Sequence, residues 1–567
     1  MSEFDDFMIR DHIAGLVTSA VDLAIADGLL PDIPFPDPDI ERPKETEHGD
    51  YATSLPLRFA RSAGKKPMEI AEIIVNTFAE DPIIFAPEVS NPGFLNFRLT
   101  TTWLQEQVEV ISEKGENWAD LNLGQGSKIQ IEFVSANPTG PLHVGNGRGA
   151  AIGDTLAAVL AAAGYDVSRE YYINDAGSQS AAFVETLYAR YQQILGRDVA
   201  LPENGYPGEY MIEIAQKMVE NHGEGYLAEL GMPPGLQFGE QGTSLMVEYI
   251  RNTLSAFGVQ YDTWFSESTL YEEGVWDEVK GILGGSNQLI ERENALWFTS
   301  SELGEDKDNV VIRSDGRPTY YASDIAYHFE KFAKRNFSRV IDVWGADHHG
   351  HVERLKIATN AVVGYECDLQ VLLYQLVTLK RGEETVRLSK RSGEIITLDE
   401  LIEEVGSDAA RFFFLLRSPN AQMEFDLELA VKKSNENPVY YIQYAHARMA
   451  SILERAREDG RELLKGDVNL LQQAHELALI RQMLRLPEVI EQVAKTSEPH
   501  HLARYAIDFA TAFHIFNDAF KQLGDPSMKV LTDDPELTAA RLKLVSTARN
   551  VLARCLQLLG MSAPDRM

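Results

Sequence analysis

A glycine-rich segment holds the first residues whose types and spacing suggest chemistry. It reads Pro138-Thr139-Gly140-Pro141-Leu142-His143-Val144-Gly145-Asn146-Gly147-Arg148-Gly149 and lies between a predicted strand and a predicted helix. Its glycines leave no side chain where a nucleotide would approach the backbone, and the helix N-terminus favours polyphosphate. His143 and Asn146 can both reach phosphate oxygens. The segment matches neither the G-x-G-x-x-G motif nor the P-loop. A tight strand–turn–helix connection that happens to contain a histidine is the alternative.

A basic loop is the second segment whose residue types suggest chemistry. Val386-Arg387-Leu388-Ser389-Lys390-Arg391-Ser392-Gly393 lies between two strand-like stretches. Consecutive cations flanked by serines and glycine suit a mobile clamp that neutralises charge building up on a phosphate leaving group. The alternative for this segment is a solvated basic turn. The two segments together are far more specific than either alone.

The elements around the first segment predict a nucleotide-binding sheet. An alternating strand over 128–134, an Ala-rich helix starting near Gly147 and a strand over 167–173 form a βαβ unit. Residues 178 to about 300 are rich in helix and are predicted to be an insertion between two halves of the sheet. The sheet pattern is predicted to resume in the stretches 309–313, 319–322, 339–344 and 369–379.

The segments outside this sheet predict two more domains. Near the N-terminus, Pro67 opens a predicted helix, and 88–99 predicts a turn followed by an alternating strand. Amphipathic helix predominates from Asn437 onward. We therefore predict an α/β protein: a Rossmann-like parallel-sheet catalytic core with insertions, an N-terminal α+β domain and a C-terminal all-α helical bundle. The predicted bounds are 1–115, 116–400 (insertion at about 178–300), a connecting segment 401–436, and 437–567.

Composition limits the classes of protein further. The 567 residues include only two cysteines, Cys367 and Cys555, which excludes a disulfide framework and a Cys-based zinc ribbon. The acidic N-terminus and the lack of an 18-residue apolar run lead us to expect a cytoplasmic protein with no membrane partner. The formal net charge of −34 argues against nucleic-acid binding over the whole surface. A local basic groove would still suffice for it.

Several motifs together resemble one enzyme family. His143-Val144-Gly145-Asn146 is similar to the first signature of class I aminoacyl-tRNA synthetases, and Arg387-Leu388-Ser389-Lys390-Arg391 is similar to the second. Their neighbours narrow the resemblance to arginyl-tRNA synthetases over nearly the whole chain. These neighbours are the segments 132–140, 316–324, 344–351, 437–446 and 563–567, together with 48–53 and 93–97. The chain departs from the family pattern at Asn146, where histidine is usual, and at Arg387 and Leu388, where Lys-Met is usual.

The resemblance implies specific residue roles. The positions that match catalytic residues of the family are His143, Asn146 and Lys390. The ATP-binding positions are His143, Gly145, Asn146, Gly147, Leu388, Ser389, Lys390 and Arg391. The arginine-binding positions are Glu132, Ser135, Asn137, His143, Tyr320, Asp324 and His348. A guanidinium is planar and permanently charged, so its selection needs fixed carboxylates, and Asp324 is expected to supply one.

The resemblance also implies an activity and partners. We expect an arginine–tRNA ligase that forms arginyl-adenylate from L-arginine and ATP and transfers the arginyl group to the terminal adenosine of tRNA(Arg). Mg²⁺ is expected through the ATP phosphates, with no protein-held metal at His348-His349-Gly350-His351. The C-terminal helices are expected to bind the anticodon and the N-terminal domain the tRNA elbow, in a monomer. Another class I nucleotidyltransferase that forms an acyl-adenylate and an inactive tRNA-binding paralogue are the alternatives.

Overall fold

A computed structural model describes residues 8–175, 178–227, 233–386 and 396–567 of the chain. Four sheets and a set of helices form these parts. Within the described residues, we find no helix whose length and apolar content together would let it span a lipid bilayer.

The N-terminal part is an α+β unit, as predicted. Its antiparallel sheet has the order β1-β2-β4-β3. Pro67 opens α3, whose Ile70, Ala71 and Ile74 are buried, because proline is tolerated in the first turn and these positions share one helix face. The elements are α1 (Ile9–Ala26), β1 (Ile40–Glu41), β2 (Tyr51–Thr53), α2 (Leu55–Ala63), α3 (Pro67–Thr77), β3 (Glu88–Ser90), β4 (Phe94–Phe97) and α4 (Thr101–Lys114).

The catalytic part begins with the predicted βαβ unit. It consists of β5 (Lys128–Phe133), α5 (Val144–Ala162) and β6 (Asp166–Ile173). Strands β5 and β6 are parallel. Three helices follow, α6 (Ser178–Ile194), α7 (Glu209–His222) and α8 (Leu236–Ala256). They enclose an aromatic cluster that includes Tyr188, Tyr191 and Phe238.

The strands between residues 263 and 312 are arranged differently from the sheet that the sequence predicts. Here lie β7 (Thr263–Ser266), α9 (Thr269–Glu272), α10 (Val275–Gly285), β8 (Leu289–Arg292), β9 (Ala295–Phe298) and β10 (Asn309–Ile312). Strand β7 joins the parallel sheet beside β6. The prediction that 309–313 resumes that sheet is wrong, because β10 pairs with β9 in a separate antiparallel sheet of order β10-β9-β8. A short apolar run bounded by polar residues predicts a strand but does not specify which sheet the strand enters.

The second half of the catalytic part completes the sheet. It contains α11 (Tyr320–Phe329), β11 (Arg339–Gly345), α12 (Val352–Val363), β12 (Asp368–Tyr374), β13 (Val377–Arg381) and β14 (Glu384–Val386). Two predictions are wrong here: 319–322 begins a helix, since Thr319 caps α11, and 369–379 is two strands. Only β12 belongs to the parallel sheet, whose order is β12-β11-β5-β6-β7.

The remaining elements connect and form the helical bundle. The connection holds α13 (Leu398–Val405), α14 (Ser407–Leu415), β15 (Met423–Asp426) and α15 (Leu427–Ala430), and β15 pairs with β13. The bundle holds α16 (Pro438–Glu458), α17 (Ala474–Leu484), α18 (Leu486–Thr496), α19 (His500–Leu523) and α20 (Pro535–Leu558).

Buried arginine contacts join the bundle to the catalytic part. Arg411 of α14 is fully buried; it donates to the carbonyls of Leu559 and Phe257 at 3.1 and 3.2 Å and to Asp154 of α5 at 2.5 Å. A buried guanidinium requires such partners for its donors. The three contacts therefore hold α5, α8 and the end of α20 in a common arrangement.

Candidate active site

His143 caps the helix that follows the glycine-rich segment. Its Nδ1 accepts a hydrogen bond from the Gly145 N–H at 3.1 Å, and Oδ1 of Asn146 accepts one from the His143 N–H at 3.0 Å. This capping box fixes the ring orientation. Desolvation lowers the pKa of His143, and Asp347 opposes this effect. Because Nδ1 is an acceptor, the neutral ring carries its hydrogen on Nε2, where it can donate to a ligand.

Close packing explains the glycine at position 147, and the sequence alone did not show this. A Cβ at this position would lie 2.7 Å from Cδ1 of Leu398 and 3.1 Å from Cε2 of Phe414. Leu398 of α13 and Phe414 of α14 therefore pack closely against this glycine. At Gly145 a Cβ would meet the His143 ring at 2.9 Å. Their ATP-binding roles stay predictions.

The chain after the basic loop returns to His143. Leu388, Ser389, Lys390 and Arg391 lie outside the described residues, so their roles stay predictions. On the described side, the N–H of Val144 donates to the carbonyl of Ile396 at 3.3 Å, and the N–H of Leu398 donates to the carbonyl of Leu142 at 2.7 Å. Residues 396–398 therefore lie beside the first segment.

A buried layer of charged side chains lies beneath the carboxyl-terminal edge of the parallel sheet. Glu132 of β5 and Asp342 of β11 are register partners. Nζ of Lys331 lies 2.7 Å from Oε2 of Glu132 and 2.9 Å from Oδ1 of Asp342. Nε2 of His328 lies 2.8 Å from Oδ2 of Asp342. Buried charges need such pairing, so Glu132 is already engaged by a cation of the chain.

The two carboxylates of this layer differ in acidity. Burial raises the pKa of Glu132 although Lys331 opposes the effect. Burial would also raise the pKa of Asp342, but Lys331 and His328 lower it to about 2. Asp342 is therefore ionised, and of the two carboxylates it is the stronger partner for the cations Lys331 and His328.

Asp324 lies one helical turn after Tyr320, as the spacing predicts. Tyr320 is the first residue of α11 and is 51% exposed. The pKa of Asp324 is raised to about 7, mainly by desolvation and also by the charges of Glu132 and Glu267, while His328 and Arg354 oppose the rise. Among the described residues, no hydrogen bond or ion pair reaches the Asp324 carboxylate. A partly buried carboxylate with a raised pKa and no partner among the described residues marks a candidate ligand site.

Glu267 is a second carboxylate near Asp324, and sequence analysis missed it. It follows β7, is 4% exposed and accepts a hydrogen bond from Oγ of Ser323 at 2.6 Å. Burial raises its pKa, and hydrogen bonds from Ser323 and Tyr172 partly offset the effect. A single glutamate after a short strand carries no sequence signal, and only the fold brings it to Asp324.

The other predicted arginine-binding residues lie around this edge. Ser135, with φ of 39°, donates to Oε1 of Glu132 at 2.9 Å and accepts from the Tyr172 N–H at 3.1 Å. Nδ2 of Asn137 donates to Oε1 of Gln179 at 2.6 Å. His348 is exposed on a short 3₁₀ turn after β11, with Nε2 3.6 Å from Asp347. The structure therefore joins Ser135 to Glu132, while Asn137 and His348 are exposed.

His328, Lys331 and Asp342 were also missed, although the sequence carried signals for them. Asp324, His328 and Lys331 have the i, i+4, i+7 spacing of one helix face. Asp342 is a single charge inside the apolar strand Val340–Val343. A π-helical turn over Glu330–Lys334 contains Lys331, and such turns occur often at functional sites.

Comparison with known families matches three consecutive parts of the chain. The arginyl tRNA synthetase N terminal domain matches residues 9–99, the catalytic domain of tRNA synthetases class I (R) matches 107–415, and the DALR anticodon binding domain matches 442–567. With the parallel sheet and the capped loop at its edge, these matches define a class I aminoacyl-tRNA synthetase.

Individual relatives narrow the class. The chain is 51% identical over 562 residues to the arginine–tRNA ligase of Dehalococcoides mccartyi strain CBDB1, and 44% identical over 563 residues to that of Desulforamulus reducens. Each alignment covers 99% of both chains. The chain belongs to the arginyl-tRNA synthetase family and is an ATP-using aminoacyl-tRNA ligase. This finding does not favour the alternatives, another acyl-adenylate-forming enzyme or an inactive paralogue.

A solved structure shares the fold. The arginyl-tRNA synthetase of Thermus thermophilus is similar over 99% of this chain and 100% of its own, with a TM-score of 0.76 and 24% identity. The predicted architecture of a parallel-sheet core, an N-terminal α+β domain and a C-terminal helical domain is confirmed.

Proposed function

We propose that this chain activates L-arginine with ATP to arginyl-adenylate and transfers the arginyl group to the terminal adenosine of tRNA(Arg). The observation that carries the proposal is the Asp324 carboxylate. It is partly buried, has no cation bound to it among the described residues, and lies near Glu267 at the edge where parallel sheets bind ligands. A guanidinium supplies the missing positive charge.

We propose that Asp324 and Glu267 bind the guanidinium. Two carboxylates can accept its N–H donors in the forked geometry that distinguishes arginine from lysine. The exposed ring of Tyr320 would flank the side chain of the substrate. Glu132, Ser135, Asn137, His143 and His348 are assigned to the remainder of the arginine molecule. Glu132 already forms an ion pair with Lys331. This pair supports a role for Glu132 in orienting the neighbouring site residues, beside its proposed contact with arginine.

The chemistry follows from positioning and charge stabilisation. A carboxylate oxygen of arginine attacks the α-phosphorus of ATP, a new P–O bond forms, and the bond to pyrophosphate breaks. A ribose hydroxyl of the tRNA then attacks the arginyl carbonyl carbon, and AMP leaves. We assign His143, Asn146 and Lys390 to the charge that develops on phosphate oxygens. The helix dipole of α5 acts in the same direction.

The remaining nucleotide contacts are proposed for both signature segments. Gly145, Gly147, Leu388, Ser389 and Arg391 complete the ATP site with the three catalytic residues. Mg²⁺ would be held by the ATP phosphates, where it neutralises their charge, and no residue of this chain is assigned to it.

The tRNA is proposed to contact both outer parts of the chain. We propose the divisions 1–115, 116–400, 401–436 and 437–567, and the matched family ranges support them. The last part would bind the anticodon and the first the tRNA elbow. We propose that the protein is a monomer. We propose a cytoplasmic location, because two free cysteines, Cys367 and Cys555, suit a reducing compartment.

Aminoacylation with each amino acid in turn tests the proposal. Purified chain, tRNA(Arg), ATP and Mg²⁺ are combined with one labelled amino acid per reaction, and acid-precipitable label is counted. We expect charging with arginine alone. Charging with a different amino acid would identify another synthetase, and no charging with any of them would identify an inactive paralogue.

A further inference from the structure

His328 makes two hydrogen bonds that together define its charge. Its Nδ1 lies 2.8 Å from the backbone carbonyl oxygen of Asp324, and its Nε2 lies 2.8 Å from Oδ2 of Asp342. A carbonyl oxygen only accepts, and an ionised carboxylate only accepts. Two acceptors facing the two ring nitrogens suit a ring that carries hydrogen on both of them. It is 2% exposed.

The buried layer is electrically balanced only if His328 is charged. Lys331 bridges Glu132 and Asp342 at 2.7 and 2.9 Å. Two carboxylates and two cations then alternate in the sequence Glu132, Lys331, Asp342, His328, with a net charge of zero. Glu170 stands apart, because its oxygens accept from Arg335 at 2.9 and 2.5 Å. The Asp324 carboxylate has no bonded cation within the parts of the chain that the structure describes.

The groups that face Asp324 are mostly acidic or phenolic. Three charged groups lie on elements other than α11: the carboxylates of Glu132 on β5 and Glu267 after β7, and the guanidinium of Arg354 on α12. Further neighbours whose charge couples to Asp324 are Tyr172 on β6, Tyr271 on α9 and Tyr321 on α11. Within the described ranges, the cations that act on the Asp324 carboxylate are His328 and Arg354, and the Arg354 guanidinium lies 5.0 Å from the Tyr321 ring centroid. His328 is thus the one fully buried cation among these described neighbours.

We propose that His328 is a positioning residue for the arginine site: it holds the Asp324 backbone through Nδ1 and, as an imidazolium clamped to Asp342, it keeps the Asp324 carboxylate ionised for the substrate. This inference rests on the proposed function. His328 itself does not touch arginine. It sets the pH range over which Asp324 can accept a guanidinium.

The sign of the pH dependence follows from the carboxylate. Burial raises the pKa of Asp324 to about 7, so the neutral acid predominates below this value and arginine must displace a proton to bind. Arginine affinity is therefore full above the pKa and falls about tenfold per pH unit below it. Removing the imidazolium makes the charged form of Asp324 less favourable, which moves the midpoint to higher pH. It also removes a cation that repels the guanidinium.

Calorimetry of arginine binding tests the proposal with His328→Asn in the full chain. We measure the dissociation constant from pH 5.5 to 8.5. The pH midpoint of arginine binding should rise by about one unit. This is the low end of the pKa change of about 1–3 units that one nearby charge causes. At pH 6 arginine should then bind about tenfold more weakly than to the wild type, and at pH 8.5 within about threefold of it or more tightly. ATP affinity should not change.

A matched control separates this effect from a general loss of a histidine. Nε2 of His12 lies 2.8 Å from Oδ2 of Asp81 in the N-terminal part, so His12→Asn breaks an equivalent pair at a distance from the site. Its pH profile should equal that of the wild type. His328→Gln is the second variant, because its longer amide can still donate to Asp342.

Each outcome bears on the proposal. A shifted midpoint with retained affinity at pH 8.5 supports it. An unchanged profile, or an equal loss at every pH, would overturn it and leave His328 a structural role. If neither variant folds, ¹⁵N-histidine-labelled wild type decides: hydrogen on both ring nitrogens of His328 supports the inference, and a neutral ring refutes it. If the wild type does not bind arginine at any pH, the proposed function itself is overturned. A missing shift in the pH midpoint of the His328 variant would overturn only the inference about His328.

Discussion

Replacing Asp324 by asparagine removes the charge proposed to select arginine while keeping nearly the same shape. Burial raises the pKa of this carboxyl from 3.8 to about 7. At 1.36 kcal/mol per pKa unit, this corresponds to roughly 4 kcal/mol of unfavourable burial of the charge. A bound guanidinium offsets that cost. The variant would leave the substrate cation in the same buried setting with only Glu267 to compensate it.

The expected loss is large and specific to arginine. Truncating one member of a buried, hydrogen-bonded charge pair costs roughly 2–5 kcal/mol, which is about 30-fold to several thousand-fold in arginine kcat/KM. Citrulline, nearly isosteric but neutral, should lose much less because it brings no charge. The ATP KM should stay near the wild-type value, since the nucleotide contacts are assigned to the His143 and Lys390 segments.

The assay measures adenylate formation with arginine and with citrulline, in the presence of tRNA, for wild type and Asp324→Asn. Asp277→Asn is a matched control, because Asp277 is exposed in the first turn of α10 and the substitution is chemically the same. Equal losses with both ligands, or a loss confined to ATP, would remove Asp324 from the arginine site.

Three further predictions concern the basic loop, the tRNA surface and the packing of α5. Lys390→Ala should lower kcat by orders of magnitude with little change in the arginine KM; a kcat within about threefold of wild type contradicts the clamp. Affinity for tRNA should fall steeply with added salt while ATP affinity changes much less, and a flat filter-binding response for tRNA argues against a basic groove. Gly153→Ala should destabilise the fold by roughly 1–3 kcal/mol, because its Cβ would lie 2.2 Å from Cγ of Phe133. In thermal denaturation the control Gly281→Ala, where nothing lies within 4 Å, should keep or raise the Tm.

Local chemistry in the sequence was sufficient for several features of this protein. The strand, glycine-rich turn and helix around His143 were predictable because hydrophobic period and turn residues act over a few positions. Proline at Pro67 marked the start of a helix for the same reason. The spacing of Tyr320 and Asp324 was also informative, since a helix places them one turn apart once Thr319 caps it.

Long-range pairing was not available from these patterns. Strand β10 is an apolar, β-branched run that would also suit a strand of the parallel sheet, yet it pairs with β9, because register and partner depend on the whole fold. Glu267 is separated from Asp324 by 57 positions, and only the docking of the turn after β7 against α11 makes them neighbours.

Charge state likewise required the tertiary structure. The sequence indicated that Asp324 could bind a cation, because its type and position matched the family motif. Its pKa, the engagement of Glu132 by Lys331 and the double hydrogen bonding of His328 all depend on burial and on partners from β5 and β11. Desolvation and distance control these properties, and neither is written in the order of the residues.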